Sequence, residues 1–155
     1  PQAQGMATRE MLQAANEGRL AALLILEEDL VTALSGECPV AESLKKLELL
    51  VSYDLFLTAT AKLAHLVLPG LSVYEKEGTF TNYAGRVQRL QPILEPFGRS
   101  IALIDFLQRL ACRLELPMME GPAEAVWNEL ARSVSAYAGM TYEGIGELGT
   151  PLNES

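Results

Sequence analysis

The sequence predicts an α/β fold, a partial doubly wound parallel sheet followed by two C-terminal helices. Three observations carry this expectation: short unbroken apolar runs, helix-like segments between them, and purely helical periodicity near the C-terminus. The runs are Leu20–Leu26, closed by Glu27, Glu28 and Asp29; Leu49–Tyr53, closed by Asp54; and His65–Leu68, closed by Pro69 and Gly70. Continuous hydrophobicity of this length suits strands covered on both faces. Alternation of such strands with helices predicts right-handed crossovers in a parallel sheet. Three strands make a small sheet, so further strands are expected upstream.

The elements follow in order. Thr8 is placed to cap a helix through Met11, Leu12 and Ala15, and Gly18 stops it. Pro39 opens a short helix through Leu44 and Leu47, because its fixed φ and missing N–H suit a first turn. Thr58–Ala64 reads as another short helix. Residues Leu71–Pro96 form an irregular stretch rich in Gly, Thr and charge, longer than most connections. A helix is expected over Ser100–Leu114, with Ile101, Ile104, Leu107, Ala111 and Leu114 on one face. Pro122 opens the last helix, through Trp127, Leu130 and Val134. The glycine-rich tail from Ala138 reads as a strap, docked or loose. The organisation is thus a βαβ part over residues 1–70, a long docked loop over 71–98, and helices with a tail over 99–155.

Composition narrows the function classes. With 155 residues, 49% of them apolar, the chain can bury a core. A charged fraction of 21% with mean hydropathy +0.14 excludes an intrinsically disordered chain. The net charge of −8 would repel a phosphate backbone, and Lys and Arg form no basic stripe, so no nucleic-acid partner is expected. No apolar run approaches the roughly 20 residues of a membrane span, so no direct membrane insertion is expected either. The opening Pro1-Gln2-Ala3-Gln4-Gly5 lacks a secretory layout and an initiator Met, and reads as a cut end of something longer. Cys38 and Cys112 stand far apart without a C-x-x-C pair, which points to two buried, reduced thiols and to no zinc or iron–sulfur site.

Acids cluster at the predicted carboxyl ends of the strands: Glu27, Glu28 and Asp29, then Asp54. Ligands of open α/β sheets bind in the crevice beyond these ends. Carboxylates there could accept hydrogen bonds from a base or a ribose; helix capping or plain solvation is the blander explanation. Neither G-x-G-x-x-G nor G-x-x-x-x-G-K-[ST] is present, which argues against a self-sufficient Rossmann or P-loop site. His65, the only histidine, has no identifiable acid or nucleophile beside it, so a surface or packing role is expected. In Glu75–Arg89, Gly78 and Gly85 allow turns, Thr79, Thr81 and Asn82 offer side-chain hydrogen bonds, and the planar fork of Arg86 could clamp a carboxylate or a carbonyl pair.

Two strings then carry a resemblance. Leu55-Phe-Leu-Thr-Ala-Thr-Ala-Lys-Leu-Ala-His-Leu-Val-Leu-Pro69, followed by Glu75-Lys76-Glu77-Gly78-Thr79-Phe80-Thr81-Asn82 and Gly85-Arg86-Val87-Gln88, resembles the molybdopterin oxidoreductase superfamily. The usual patterns there are D-x-F-x-T-E-T-A-x-x-A-D-V-V-L-P and E-K-D-G-T-F-T-N-x-E-G-R-V-Q. The resemblance covers most of the chain and includes the strand Leu20–Asp29, similar to one leading to a G-E-N or G-E-D loop. Four positions depart from the patterns: Glu27 replaces Gly, Ala59 replaces Glu, His65 replaces Asp, and Ala84 replaces Glu. Three lost carboxylates near a cofactor crevice imply a domain that kept the fold and relaxed its chemistry.

Within the superfamily, Gly85-Arg86-Val87-Gln88 looks more like the large iron–sulfur subunit of respiratory complex I, the NADH-quinone oxidoreductase. That likeness implies a scaffold with no catalytic residue, metal ligand or cofactor of its own, and iron–sulfur clusters elsewhere in the parent chain. Its partners would be upstream domains and other subunits of the peripheral arm, in the cytoplasm at the inner face of the plasma membrane. The alternative is part of a formate dehydrogenase catalytic subunit holding molybdopterin guanine dinucleotide. There Glu28, Asp29 and Asp54 would touch the guanine-dinucleotide end, with Arg86 as a further cofactor-binding candidate.

Overall fold

The structure, a computed structural model, describes residues 5–118 and 120–153. The N-terminal stretch Pro1–Gln4, expected to be a cut end, lies outside them. The chain divides into two compact units, residues 1–70 and 71–155.

The first unit is a parallel α/β layer. Helix α1 (Thr8–Asn16) is followed by β1 (Ala22–Leu26), a single turn α2 (Leu30–Ala33), α3 (Val40–Leu44), β2 (Leu49–Asp54) and β3 (Leu66–Pro69). Thr8 is the first helical residue rather than the cap. Ala7 precedes the helix, and its N–H donates to the Glu10 carboxylate at 2.7 Å, so a reach-back from inside the first turn replaces a hydroxyl cap. The helix expected over Thr58–Ala64 shrinks to a 3-10 turn at Ala61–Leu63. Two threonines explain this: Thr58 Oγ1 accepts the Ala61 N–H, and Thr60 is drawn to Asp29, so side chains compete with the helical ladder.

The strands pair in parallel in the order β1-β2-β3, with Leu26 beside Tyr53 and Val51 beside Leu66. This register sends Glu27–Asp29 and Asp54 out of the same sheet edge. Leu12 and Ala15 of α1, Val40 and Leu44 of α3, and Leu47 bury one sheet face against Ile25 and Leu50. Leu49 and Leu66, on the opposite face, remain about half exposed (47% and 50%). The two-sided cover expected for continuous apolar strands is therefore incomplete here.

The second unit corrects the reading of 71–98 as an irregular loop. It contains a hairpin, β4 (Gly78–Thr81) antiparallel to β5 (Arg86–Leu90), and the tail adds β6 (Thr150–Pro151) on the far side of β5. The docked form of the tail is thus the observed one. Helices α4 (Leu103–Arg113) and α5 (Ala123–Ser133) lie between. The core is Val87, Trp127, Tyr142 and Ile145, packed with Tyr137, Met140 and Leu152. Trp127 donates its indole N–H to the Met140 carbonyl at 3.3 Å and meets the Tyr137 ring edge-on, so α5 and the tail share one buried anchor.

The two thiols are not both buried as expected: Cys38 is half-buried and Cys112 is exposed. Among the described residues no helix is long and apolar enough to cross a membrane.

Candidate functional site

The carboxyl edge of the parallel sheet carries the most organised polar cluster of the first unit. Asp29 lies three residues past the end of β1 and immediately precedes α2. Its Oδ1 accepts both the backbone N–H of Thr60 (3.0 Å) and the Thr60 hydroxyl (2.7 Å), while Oδ2 accepts the Thr32 hydroxyl (2.6 Å). Thr60 is fully buried, and its Oγ1 also accepts the Val31 N–H at 3.0 Å. One threonine thus ties the turn after β1 to the segment after β2. The donors from Thr32, then Thr60, hold the Asp29 carboxyl at about 2, below its ordinary 3.8. Hydrogen bonds to the ionised form are the physical cause. Because the folded-state value is depressed, this contribution is complete above about pH 4 and is lost as pH falls toward about 2. A thermal melt series should therefore show a loss of stability through this window that is absent in Asp29→Asn.

Glu27 sits where the superfamily pattern has glycine, and its φ is +52°, a left-handed conformation that glycine adopts freely. The backbone has kept the glycine turn around a glutamate. Its N–H continues the sheet by donating to the Tyr53 carbonyl at 2.7 Å, which holds the residue in place. Left-handed backbone costs an L-residue roughly 1–2 kcal/mol, partly offset in glycine by greater chain entropy. Glu27→Gly is expected to raise stability by up to about 1 kcal/mol in urea unfolding; Glu27→Val should lower it.

Glu28 is exposed at the same edge. Asp54, only 9% exposed, ends β2, and its Oδ1 accepts the Phe56 N–H at 3.1 Å in a local turn. Glu28, Asp29 and Asp54 are therefore brought to one sheet edge by the β1–β2 register. They differ in state: Asp29 is committed to threonines, Asp54 is sunk, and Glu28 is open. Thr60 was not among the sequence candidates. No local pattern could have marked it, because its partner lies thirty-one residues earlier and meets it only through the parallel crossover.

His65 has the structural role expected of it. Its Nδ1 accepts the Leu50 N–H at 2.8 Å, and its own N–H donates to the Leu50 carbonyl at 2.9 Å, joining the mouths of β2 and β3. An aspartate, usual at this position in the superfamily pattern, could accept the same N–H.

Arg86 belongs to the second unit. Its Nη1 donates to the Gly149 carbonyl at 2.8 Å, with the Leu148 carbonyl at 3.4 Å. The clamp is on a carbonyl pair of the tail. The turn before it is set by Asn82, whose Oδ1 accepts the N–H groups of Ala84 and Arg86 and whose Nδ2 donates to Gln88. Gly85, at φ +70°, completes it. Arg86→Ala should leave the hairpin turn in place and loosen the tail. Cleavage by a glutamate-specific protease at Glu143 and Glu147 should quicken severalfold, more than at Glu77.

Chemically, the sheet edge offers acceptors. Carboxylates suit the N–H groups of a guanine and the hydroxyls of a ribose, and they repel a pyrophosphate. Among the described residues no three His, Cys, Asp or Glu side chains gather as a metal site.

Comparison with known proteins decides the family. The sequence model of molybdopterin oxidoreductases matches residues 2–113, well over half of the chain. The chain belongs to the molybdopterin oxidoreductase family. Similar proteins include the probable oxidoreductase YjgC of Bacillus subtilis, 36% identical over 99% of the chain and 16% of the relative. The F420-dependent formate dehydrogenase 1 subunit alpha of Methanococcus maripaludis is 34% identical over 92% of the chain and 21% of the relative. A putative formate dehydrogenase of Staphylococcus aureus is 35% identical over 96% of the chain and 15% of the relative. The chain thus spans only about a sixth to a fifth of these relatives. Among solved structures, the acetylene hydratase of Pelobacter acetylenicus superposes with a TM-score of 0.60 and 27% identity, over 86% of this chain and 19% of that one. A hydratase thus shares the fold of this molybdopterin oxidoreductase segment, so fold alone does not name the reaction.

Proposed function

We propose that this segment is part of the cofactor-binding domain of a formate dehydrogenase-type catalytic subunit. The observation that carries this reading is identity of 34–36% over nearly the whole segment with an oxidoreductase and formate dehydrogenases. The large iron–sulfur subunit of complex I, favoured by the Gly85-Arg86-Val87-Gln88 string, has no counterpart among these relatives.

The carboxylate edge fits the guanosine end of a molybdopterin guanine dinucleotide. Glu28, the open carboxylate of this edge, would accept hydrogen bonds from base N–H or ribose O–H groups, with Asp29 and Asp54 beside it shaping the acidic end of the crevice. The bound cofactor would supply two-electron redox chemistry. Arg86 keeps the tail on β5, a supporting role within the second unit. The remainder of the catalytic subunit, and whatever accepts its electrons, would be the partners of this segment.

The test is formate-dependent reduction of a viologen dye by the purified full-length protein, with molybdenum or tungsten measured alongside. Formate-dependent turnover with stoichiometric metal is expected. NADH-dependent electron transfer without either metal would return the assignment to complex I.

A further inference from the structure

We infer that the surface around Phe97, Arg99 and Arg109 of the second unit is a docking face, covered in the full-length protein by an acidic, apolar segment of the same polypeptide from outside residues 1–155. This rests on the reading of the chain as part of a longer catalytic subunit, and not on which substrate that subunit oxidises.

The stretch after β5 is held in a form that turns apolar side chains outward. The Ile93 and Leu94 N–H groups both donate to the Tyr74 carbonyl, at 2.8 and 2.9 Å. Glu75 Oε1 accepts the Phe97 N–H at 2.8 Å, while its Oε2 accepts the Ser72 N–H at 2.9 Å. These donors, Ser72 first and then Phe97, hold the Glu75 carboxyl below its ordinary value. Ser100 returns its N–H and its hydroxyl to the Phe97 carbonyl, at 3.1 and 2.7 Å. The strap is thus pinned at Ile93, Leu94 and Phe97, yet these side chains are 73%, 59% and 85% exposed, with Tyr74 at 57%. Single exposed apolar residues are ordinary, whereas a cluster held outward by its own backbone marks a contact surface.

Charge says what kind of contact. The same turn borders a pocket of about 500 Å³ whose lining includes Pro96, Arg99, Ser100, Asp105 and Arg109. Among the described residues the ion pairs are Arg9 with Glu37 and Arg19 with Glu17, both in the first unit, so neither Arg99 nor Arg109 has a carboxylate partner. Asp105 shares the pocket without pairing with either, which leaves net positive charge there on a chain of net charge −8. Apolar knobs beside unpaired guanidiniums suit a segment that brings an apolar side chain together with carboxylates, which Arg binds through two parallel hydrogen bonds. Length argues for its source. The chain spans 16% of the Bacillus subtilis relative and 21% of the Methanococcus maripaludis one, so most of a protein of that length remains to supply the cover.

The experiment uses the purified full-length polypeptide, free of other subunits. Hydroxyl-radical oxidation of Phe97, read by mass spectrometry, is expected to be slower by about fivefold or more than in the free tryptic peptide of residues 90–99, as where packing excludes water. Arg99→Glu combined with Arg109→Glu should raise that oxidation by about threefold or more, whereas Arg99→Lys combined with Arg109→Lys should keep the protection. In the lysine pair a zero-length carbodiimide should join position 99 or 109 to an Asp or Glu outside residues 1–155. Mixing isotope-labelled and unlabelled protein marks any link between copies. Oxidation of Phe97 as fast as in the free peptide would overturn the inference, as would equal protection in the glutamate and lysine pairs. Links only within residues 1–155, to a second copy or to another polypeptide would overturn it too. None of these readouts needs formate turnover or metal. Failure here therefore leaves the proposed function standing, and a complex I-type activity would leave the docking face standing.

Discussion

Gly149→Ala should destabilise the second unit by about 3 kcal/mol or more, the sum of a left-handed backbone and an overpacked contact. Gly149 has φ +72°, and a Cβ built there would stand 2.4 Å from the Val87 carbonyl oxygen, 2.8 Å from Gln88 Cγ and 3.1 Å from Arg86 Cγ. The first of these is backbone and cannot rotate away. Val87 is itself fully buried in the core of the unit, and the carbonyl of Gly149 is the one that Arg86 holds. Relief of the clash would therefore pull the tail from β5 and break the Arg86 bond with it. Trp127, the only tryptophan, reports this core directly in a urea titration followed by fluorescence. Gly139→Ala is the control: its φ is +78°, but a Cβ there meets nothing within 4 Å, so only backbone strain of roughly 1 kcal/mol is expected. Equal effects of the two substitutions would show that the close approach of Gly149 to β5 is not what constrains it.

Leu50→Ala should cost about 2–5 kcal/mol of first-unit stability, while Leu49→Ala, one residue earlier on the same strand, should cost less than about 1. Leu50 is fully buried among α1, α3 and β1, whereas Leu49 faces the other way and is 47% exposed. A one-residue step changes the sheet face, so the pair measures how one-sided this layer is. Urea unfolding followed by far-UV circular dichroism would resolve the difference. Comparable losses would mean that the second face is covered as completely as the first.

The parallel sheet was legible in the sequence because its signal is local: unbroken apolar runs of strand length, each closed by an acid or Pro-Gly. The hairpin at Gly78–Leu90 was less visible, since each strand is short and β5 carries two arginines. Its turn chemistry, with Asn82 and Gly85 between Thr81 and Arg86, was nevertheless present in the sequence. Single-turn elements such as α2 escaped because four residues give no periodicity. At the candidate site, the acids were legible by type and by position at strand ends. What they do was not, because the bonds that commit Asp29 come from Thr60, brought close only by the crossover. Arg86 illustrates the same point from the other side. Its capacity to clamp carbonyls follows from its chemistry, whereas its partners in the tail, sixty-two and sixty-three residues later, follow only from the fold.

The most direct measurement is the content of guanosine nucleotide and of molybdenum or tungsten in the native full-length protein, each expressed per polypeptide. Stoichiometric guanosine nucleotide together with stoichiometric metal is the predicted result. A protein carrying iron–sulfur clusters but no guanosine nucleotide and neither metal would contradict it.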